Sequence, residues 1–246
     1  GFARLLKDHP QHELAPEAAF MLGDALQADG QLAEAAKAFG EAFDKFVPNR
    51  FAYLAGLQSA RVLGRLKQVA ESDAAYAKLL EKFPKPERLD RLFDEWAMLN
   101  YEAERYARAD EIFKRLIAET PDSDLVDNAR FSLVESQLSA IDPKEDAAVK
   151  NKKLEEVKAA FRQLEQNPKS DADVQQDSLL RLLGIAEEQQ QWDELAKIAE
   201  SLRTRFAEGR YKTDAAFYLA VSLLQRKQLA PAFDLLKPLT SLKSDP

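Results

Sequence analysis

Two histidines, His9 and His12, stand close together with Asp8 and Glu13 beside them. Imidazole and carboxylate groups at this spacing could hold a metal ion, but a two-histidine site needs carboxylate help to complete its ligand set. The competing reading, adopted here, is a solvated loop between helices around Pro10. The chain has no cysteine, which removes thiolate nucleophiles, thiolate metal ligands and disulfides. Neither histidine lies where a Ser–His nucleophile arrangement would need it. The eight glycines are dispersed and form no loop that could cradle a phosphate. The acidic pairs Glu155-Glu156 and Glu187-Glu188 read as solvated residues on charged helical faces. These residue types point away from catalysis, and no cofactor or metal is expected.

Charged residues make up 31% of the chain and hydrophobic ones 46%, a balance that suits a folded protein rather than a disordered one. Ala, Leu, Glu, Lys and Gln are abundant and Gly is scarce, which favours helix. A net charge of −7 argues against general nucleic-acid binding, which needs a basic face. No apolar run approaches the roughly 20 residues of a membrane span. No leader is visible, and the chain starts at Gly1 rather than Met.

The elements that must position any site repeat along the chain. Prolines fall at Pro10, Pro48, Pro84, Pro121 and Pro168, at intervals of 38, 36, 37 and 47 residues. Fixed periods in this range mark stacked helix pairs. The clearest unit places Ala19, Leu22, Gly23 and Leu26 on one helix. A turn follows at Gly30, and Leu32, Ala35, Phe39, Ala42 and Phe43 lie on a second helix. These i, i+3, i+4, i+7 spacings give each helix one apolar stripe. Gly23 and Ala35 allow close approach, Phe39 fills the junction, and Pro48 stops the second helix. The 47-residue interval carries an excess around 141–153. Asp142-Pro143 signals a turn and helix start, and the pattern from Lys144 onward reads as one long helix, so the two helices and their turn should all be lengthened.

Leu22-Gly23, Leu26, Gly30, Leu32, Ala35, Phe39 and Ala42 resemble the tetratricopeptide repeat almost position for position. Tyr106, Ala109, Phe113 and Pro121 resemble the second helix of a later unit. Leu183-Gly184 resembles the first helix of another, and Ala216, Leu219, Ala220, Leu223, Leu229 and Ala232 resemble the last. The resemblance implies an all-α fold, a right-handed α-solenoid of antiparallel helix pairs. It divides a single array into a half repeat at 2–10 and repeats at about 11–48, 49–84, 85–121, 122–168, 169–207 and 208–246. Phe2-Ala3-Arg4-Leu5-Leu6 before Pro10 parallels Tyr76-Ala77-Lys78-Leu79-Leu80 before Pro84, so the chain is expected to open inside a repeat, as a piece of a longer protein. Phe2, Leu5 and Leu6 at one end, and Leu236, Leu239 and Leu242 at the other, would then expose apolar surface suited to end-to-end self-association.

In this family the first helix of each pair lines the inner groove. The resemblance therefore implies a partner-binding groove with Phe20, Phe131 and Phe217 as aromatic candidates. Asp24, Arg61, Met98, Tyr101 and Glu135 are the candidates one turn further along. The aromatics could instead pack against the neighbouring first helix. Asp24 and Glu135 stand where a carboxylate-holding subtype would carry Asn or a base, which counts against capture of a peptide C-terminus. The variant is similar to repeats of bacterial envelope proteins, including Tol-system accessory proteins and outer-membrane assembly lipoproteins. The implied function is a non-enzymatic scaffold that binds a protein or peptide, in a periplasmic or envelope setting. A helical accessory region of a larger envelope enzyme and a cytoplasmic adaptor are the alternatives.

Overall fold

The structure is a computed structural model and describes residues 1–239. Those residues form thirteen helices and no strand. They divide into two compact units, the first ending at Ser123 and the second beginning at Asp124. In the first unit a short helix α1 (Phe2–Asp8) is followed by three pairs: α2 (Ala15–Ala28) with α3 (Leu32–Phe46), α4 (Arg50–Arg65) with α5 (Val69–Lys82), and α6 (Leu89–Glu102) with α7 (Tyr106–Glu119). The second unit holds α8 (Val126–Ser139) with α9 (Ala147–Gln166), α10 (Ala172–Glu188) with α11 (Trp192–Arg205), and α12 (Lys212–Gln225) with α13 (Leu229–Leu236). Each unit is an all-α stack of antiparallel pairs, as expected. Within each unit consecutive helices pack on one another, and first helices also meet across pairs, α2 with α4 and α8 with α10. No helix among the described residues is long and apolar enough to cross a membrane. The expectation for Leu242 falls outside the described residues.

One turn recurs. Gly30 has φ +79°, and Lys67, Glu104, Gln190 and Lys227 take φ 62°, 58°, 56° and 62° at the same place in their pairs. In each, the next amide donates to the carbonyl five residues back: Gln31 to Leu26, Gln68 to Leu63, Arg105 to Asn100, Gln191 to Ala186 and Gln228 to Leu223, at 2.8–3.0 Å. This left-handed cap satisfies orphan carbonyls at the end of the first helix and reverses the chain. Gly takes the conformation freely, whereas the other four side chains are strained there.

These turns set a register for comparing pairs. Seven residues before the turn stand Gly23, Ala60, Ala97, Leu183 and Ala220, all buried. Nine residues after it stand Phe39, Tyr76, Phe113, Ala199 and Leu236. A Cβ on Gly23 would lie 2.5 Å from the Phe39 ring, so the small residue is required by the large one. In the α10–α11 pair the sizes are exchanged: Leu183 and Ala199 are both fully buried, in one core cluster. The sequence match therefore needs correction. Leu183, rather than Gly184, takes the place of Gly23, and a Cβ on Gly184 would meet nothing within 4 Å.

The insertion is also placed differently from expectation. Helix α8 has 14 residues, like α2 and α6, while α9 has 20. The Asp142 carboxylate accepts from the Lys144 amide, which holds a turn and not a helix start. Asp146 is the cap, accepting from the amides of Ala148 and Val149. Helix α9 thus begins at Ala147, because Asp146 has a free carboxylate to offer the first-turn amides.

Candidate functional site

The first helices carry polar side chains in a fixed register. Asp24, Arg61 and Met98 lie six residues before their turns, and Glu135 continues the series 37 residues after Met98. In the first unit Arg61 of α4 reaches Glu95 of α6 with two hydrogen bonds, Nε to Oε2 at 2.8 Å and Nη2 to Oε1 at 2.6 Å. Arg61, Tyr76, Glu95 and Met98 line one cleft of about 510 Å³. Tyr76 stacks on Trp96, with ring centroids 5.9 Å apart. Its hydroxyl is held above its ordinary range, by burial first and then by the Glu95 charge.

The second unit repeats this rung with the charges reversed. Glu135 of α8 meets Arg181 of α10 at 2.7 Å. The turns at Glu104 and Gln190 lie 86 residues apart, 12 more than two 37-residue periods. The separations Arg61–Glu95 and Glu135–Arg181, 34 and 46 residues, differ by the same 12. The two ion pairs therefore occupy equivalent positions. Their surroundings differ. The Arg61 and Glu95 side chains are 39% and 37% exposed, whereas Glu135 is 11% exposed and its Oε1 is buried without a hydrogen bond. Burial pushes the Glu135 carboxyl up from its ordinary value of 4.5, and Arg181 only partly opposes the shift.

The other candidates separate. Phe20 packs on Phe39 and Phe51, at 5.7 and 6.1 Å between centroids. Phe131 packs on Phe161 at 5.7 Å. Both half-buried rings touch the second helix of their own pair, and Phe20 also touches the following first helix. Phe217 is 46% exposed and touches Tyr218 edge-on at 5.6 Å. Tyr101 sits edge-on against Tyr106 at 5.7 Å. Asp24 is exposed. His12 Nδ1 accepts from the Leu14 amide, and both histidines are exposed loop residues.

Sequence reasoning missed two carboxylate–aromatic–guanidinium groups. In the first unit Asp73 accepts from Trp96 Nε1 at 2.6 Å and from Arg108 Nε at 3.0 Å. The Arg108 guanidinium lies 4.9 Å from the centroid of the Trp96 ring. Burial opposes ionisation of Asp73, but hydrogen bonds from Arg108 and Trp96 outweigh it and hold the carboxyl below its usual value. A signal existed: Arg105 and Arg108 stand at the start of α7, where the helix dipole disfavours cations, and so call for an acid nearby. In the second unit Asp177 accepts from the Tyr211 hydroxyl at 2.5 Å and pairs with Arg210 at 2.5 Å. Arg210 lies 5.0 Å over the Tyr211 ring.

Residues 54–86 match the family model described as Tetratricopeptide repeat. Curated protein sequences give no match. Among solved structures, the C-terminal part of a TPR repeat-containing protein from Cytophaga hutchinsonii aligns with TM-score 0.67 and 14% identity, over 100% of this chain and 89% of that one. A tetratricopeptide repeat protein from Parabacteroides merdae aligns with TM-score 0.56 and 16% identity, over 94% and 80%. A structure of Naa15/Naa10 bound to HypK-THB aligns with TM-score 0.59 and 15% identity, over 98% of this chain and 33% of that one. One repeat-sized segment thus matches that family's model, and the aligned structures share the fold of stacked helix pairs.

Proposed function

We propose that this chain is a non-enzymatic scaffold that binds a protein or peptide on the first-helix face of its pairs. The observation that carries the reading is the cleft of the first unit. There the Arg61–Glu95 pair converges with Met98 and Tyr76 on an opening of about 510 Å³, a mix of apolar floor and oriented polar groups that suits side-chain capture. The likeness to a structure determined with a bound partner is in keeping with it. A bacterial envelope setting of the Tol-accessory or outer-membrane-assembly kind is part of the proposal, resting on the Ala-x-Phe-x-Leu pattern of the first helices. Cell fractionation checks it. Self-association through the ends is a further part, supported by Phe2, Leu229 and Phe233, which are 42%, 66% and 64% exposed. Light scattering checks that.

A photo-crosslinking residue at Met98 tests the binding reading against one at Lys37, whose side chain on α3 is 78% exposed. In cells the Met98 position should yield a discrete adduct and the Lys37 position none. Absence of any adduct at Met98, with the protein folded, would overturn the groove assignment.

A further inference from the structure

The ladder on the first helices has a third rung, and it is of a different kind. Gly184 of α10 lies six residues before its turn, as Arg61 does, and Tyr218 of α12 lies nine before the next, as Glu95 does. Gly184 and Tyr218 are 34 residues apart, the separation of Arg61 and Glu95. A glycine inside a helix costs about 1 kcal/mol against alanine. At Gly23 the tight Phe39 contact explains that cost. At Gly184 nothing lies within 4 Å of a Cβ, so packing does not require the residue and the backbone stays bare at the position in register with Tyr218.

The surroundings of Tyr218 are acidic. Glu187 follows Gly184 by three residues and Asp214 precedes Tyr218 by four, one helical turn in each case. Both carboxylates are half-buried. The charges that act on the Tyr218 hydroxyl are Glu187 and Asp214; with burial, the largest cause, they raise it. Neither carboxylate forms an ion pair among the described residues, although Arg181, Arg210 and Arg226 of the same unit pair with Glu135, Asp177 and Asp193. Phe217, half exposed, stands against the ring.

The same combination occurs twice elsewhere in the molecule with its cation supplied internally. Asp73, Trp96 and Arg108 form one case, and Asp177, Tyr211 and Arg210 the other. In each, a guanidinium lies over an aromatic face while a carboxylate neutralises it, a favourable arrangement for a partly desolvated cation. At Tyr218 the ring and the carboxylates are present and every nearby arginine is engaged elsewhere. We propose that Gly184, Glu187, Asp214, Phe217 and Tyr218 form a subsite for one Lys or Arg side chain of a partner polypeptide. The cation lies over Tyr218, Glu187 and Asp214 neutralise it, and the aliphatic stem runs along Phe217 above the bare Gly184 backbone. The inference rests on the scaffold reading and names the chemistry the partner must present to the second unit.

The test titrates the isotope-labelled full chain with a capped Gly-Arg-Gly peptide and with the same peptide carrying citrulline, an uncharged isostere. The arginine peptide should shift the Gly184 amide and Tyr218 ring resonances, and salt should weaken the effect. The citrulline peptide should bind about tenfold more weakly. The isosteric double variant Glu187→Gln, Asp214→Asn should lose the preference for arginine while keeping its helical signal. Equal response to both peptides, shifts spread away from Gly184 and Tyr218, or no response to millimolar arginine peptide would overturn the subsite. Crosslinking at Met98 is read in the other unit, so an adduct there with silence at Tyr218 removes this inference and leaves the scaffold reading standing.

Discussion

In the α2–α3 pair a bare Gly23 backbone meets the Phe39 ring, while in the α10–α11 pair Leu183 fills the corresponding place and Ala199 yields it. Both arrangements leave the junction buried. The comparison shows that the pair conserves volume across the contact rather than residue identity on either helix, as expected of interiors packed at crystalline density. It also explains why a glycine next to the motif position, Gly184, can imitate the sequence pattern without taking its structural place.

The largest expected effect tests the big-residue side of that contact. Phe39→Ala and Phe113→Ala should each destabilise by about 3–5 kcal/mol, because both rings are fully buried and their sites cannot collapse. Thermal unfolding measures it, and an unchanged midpoint in either variant would break the register. Next come the two charge-reversed rungs. Arg181→Met strands the buried Glu135 carboxylate and should cost about 2 kcal/mol. Arg61→Met opens a pair that is more than a third exposed on both sides and should cost at most about 1 kcal/mol.

The pH dependence of the first of these has a definite sign. The folded-state value of Glu135 lies above its ordinary 4.5, and loss of Arg181 raises it further. The folded state then binds the proton more tightly than the unfolded one. Stability is lost as pH rises through the folded value and is recovered as pH falls toward 4.5. Denaturant midpoints across acid to neutral pH should show the Arg181→Met deficit shrinking on acidification. A deficit that grows on acidification would contradict the burial of Glu135.

Smaller effects sharpen the comparison of the two glycines. Gly23→Ala should cost about 1–3 kcal/mol through overpacking against Phe39. Gly184→Ala should gain up to about 1 kcal/mol, because helix propensity acts there without a clash. Opposite signs in chemical denaturation confirm the register, and equal signs refute it. The smallest change is at the turns. Glu104→Gly relieves a left-handed glutamate and should raise stability by about 0.5–1 kcal/mol, visible as a rise in thermal midpoint.

Much of the helix order was legible. The spacing of Leu22, Leu26, Leu32, Phe39 and Phe43 reports one buried face per helix, and the prolines punctuate the pairs, because both signals are local. The left-handed turns were legible only at Gly30. At Lys67, Glu104, Gln190 and Lys227 the hydrogen bond from the following amide imposes a conformation that the residue type does not announce. Asp142-Pro143 misled in the opposite sense, since an Asx turn and a helix cap use the same side-chain chemistry. Among the site candidates, Arg61 and Glu135 were named as polar positions one turn beyond the groove aromatics, and each takes part in an ion pair. Their partners Glu95 and Arg181 were not named, because the rung joins residues that are three positions out of step.

The sequence alone determined the helical class, the spacing of the apolar stripes and the buried aromatics Phe39 and Phe113. Each follows from periodicities written along one chain segment. Only the tertiary structure decided which side chains meet 34 residues apart, that Glu135 is buried with one oxygen unpartnered, that Phe20 and Phe131 are half-buried against other rings while Phe217 is exposed, and that Gly184 has open space around it. Those outcomes depend on how one helix is set against the next. That setting comes from the summed volumes at the junctions, to which every buried side chain contributes and which no short stretch of sequence records.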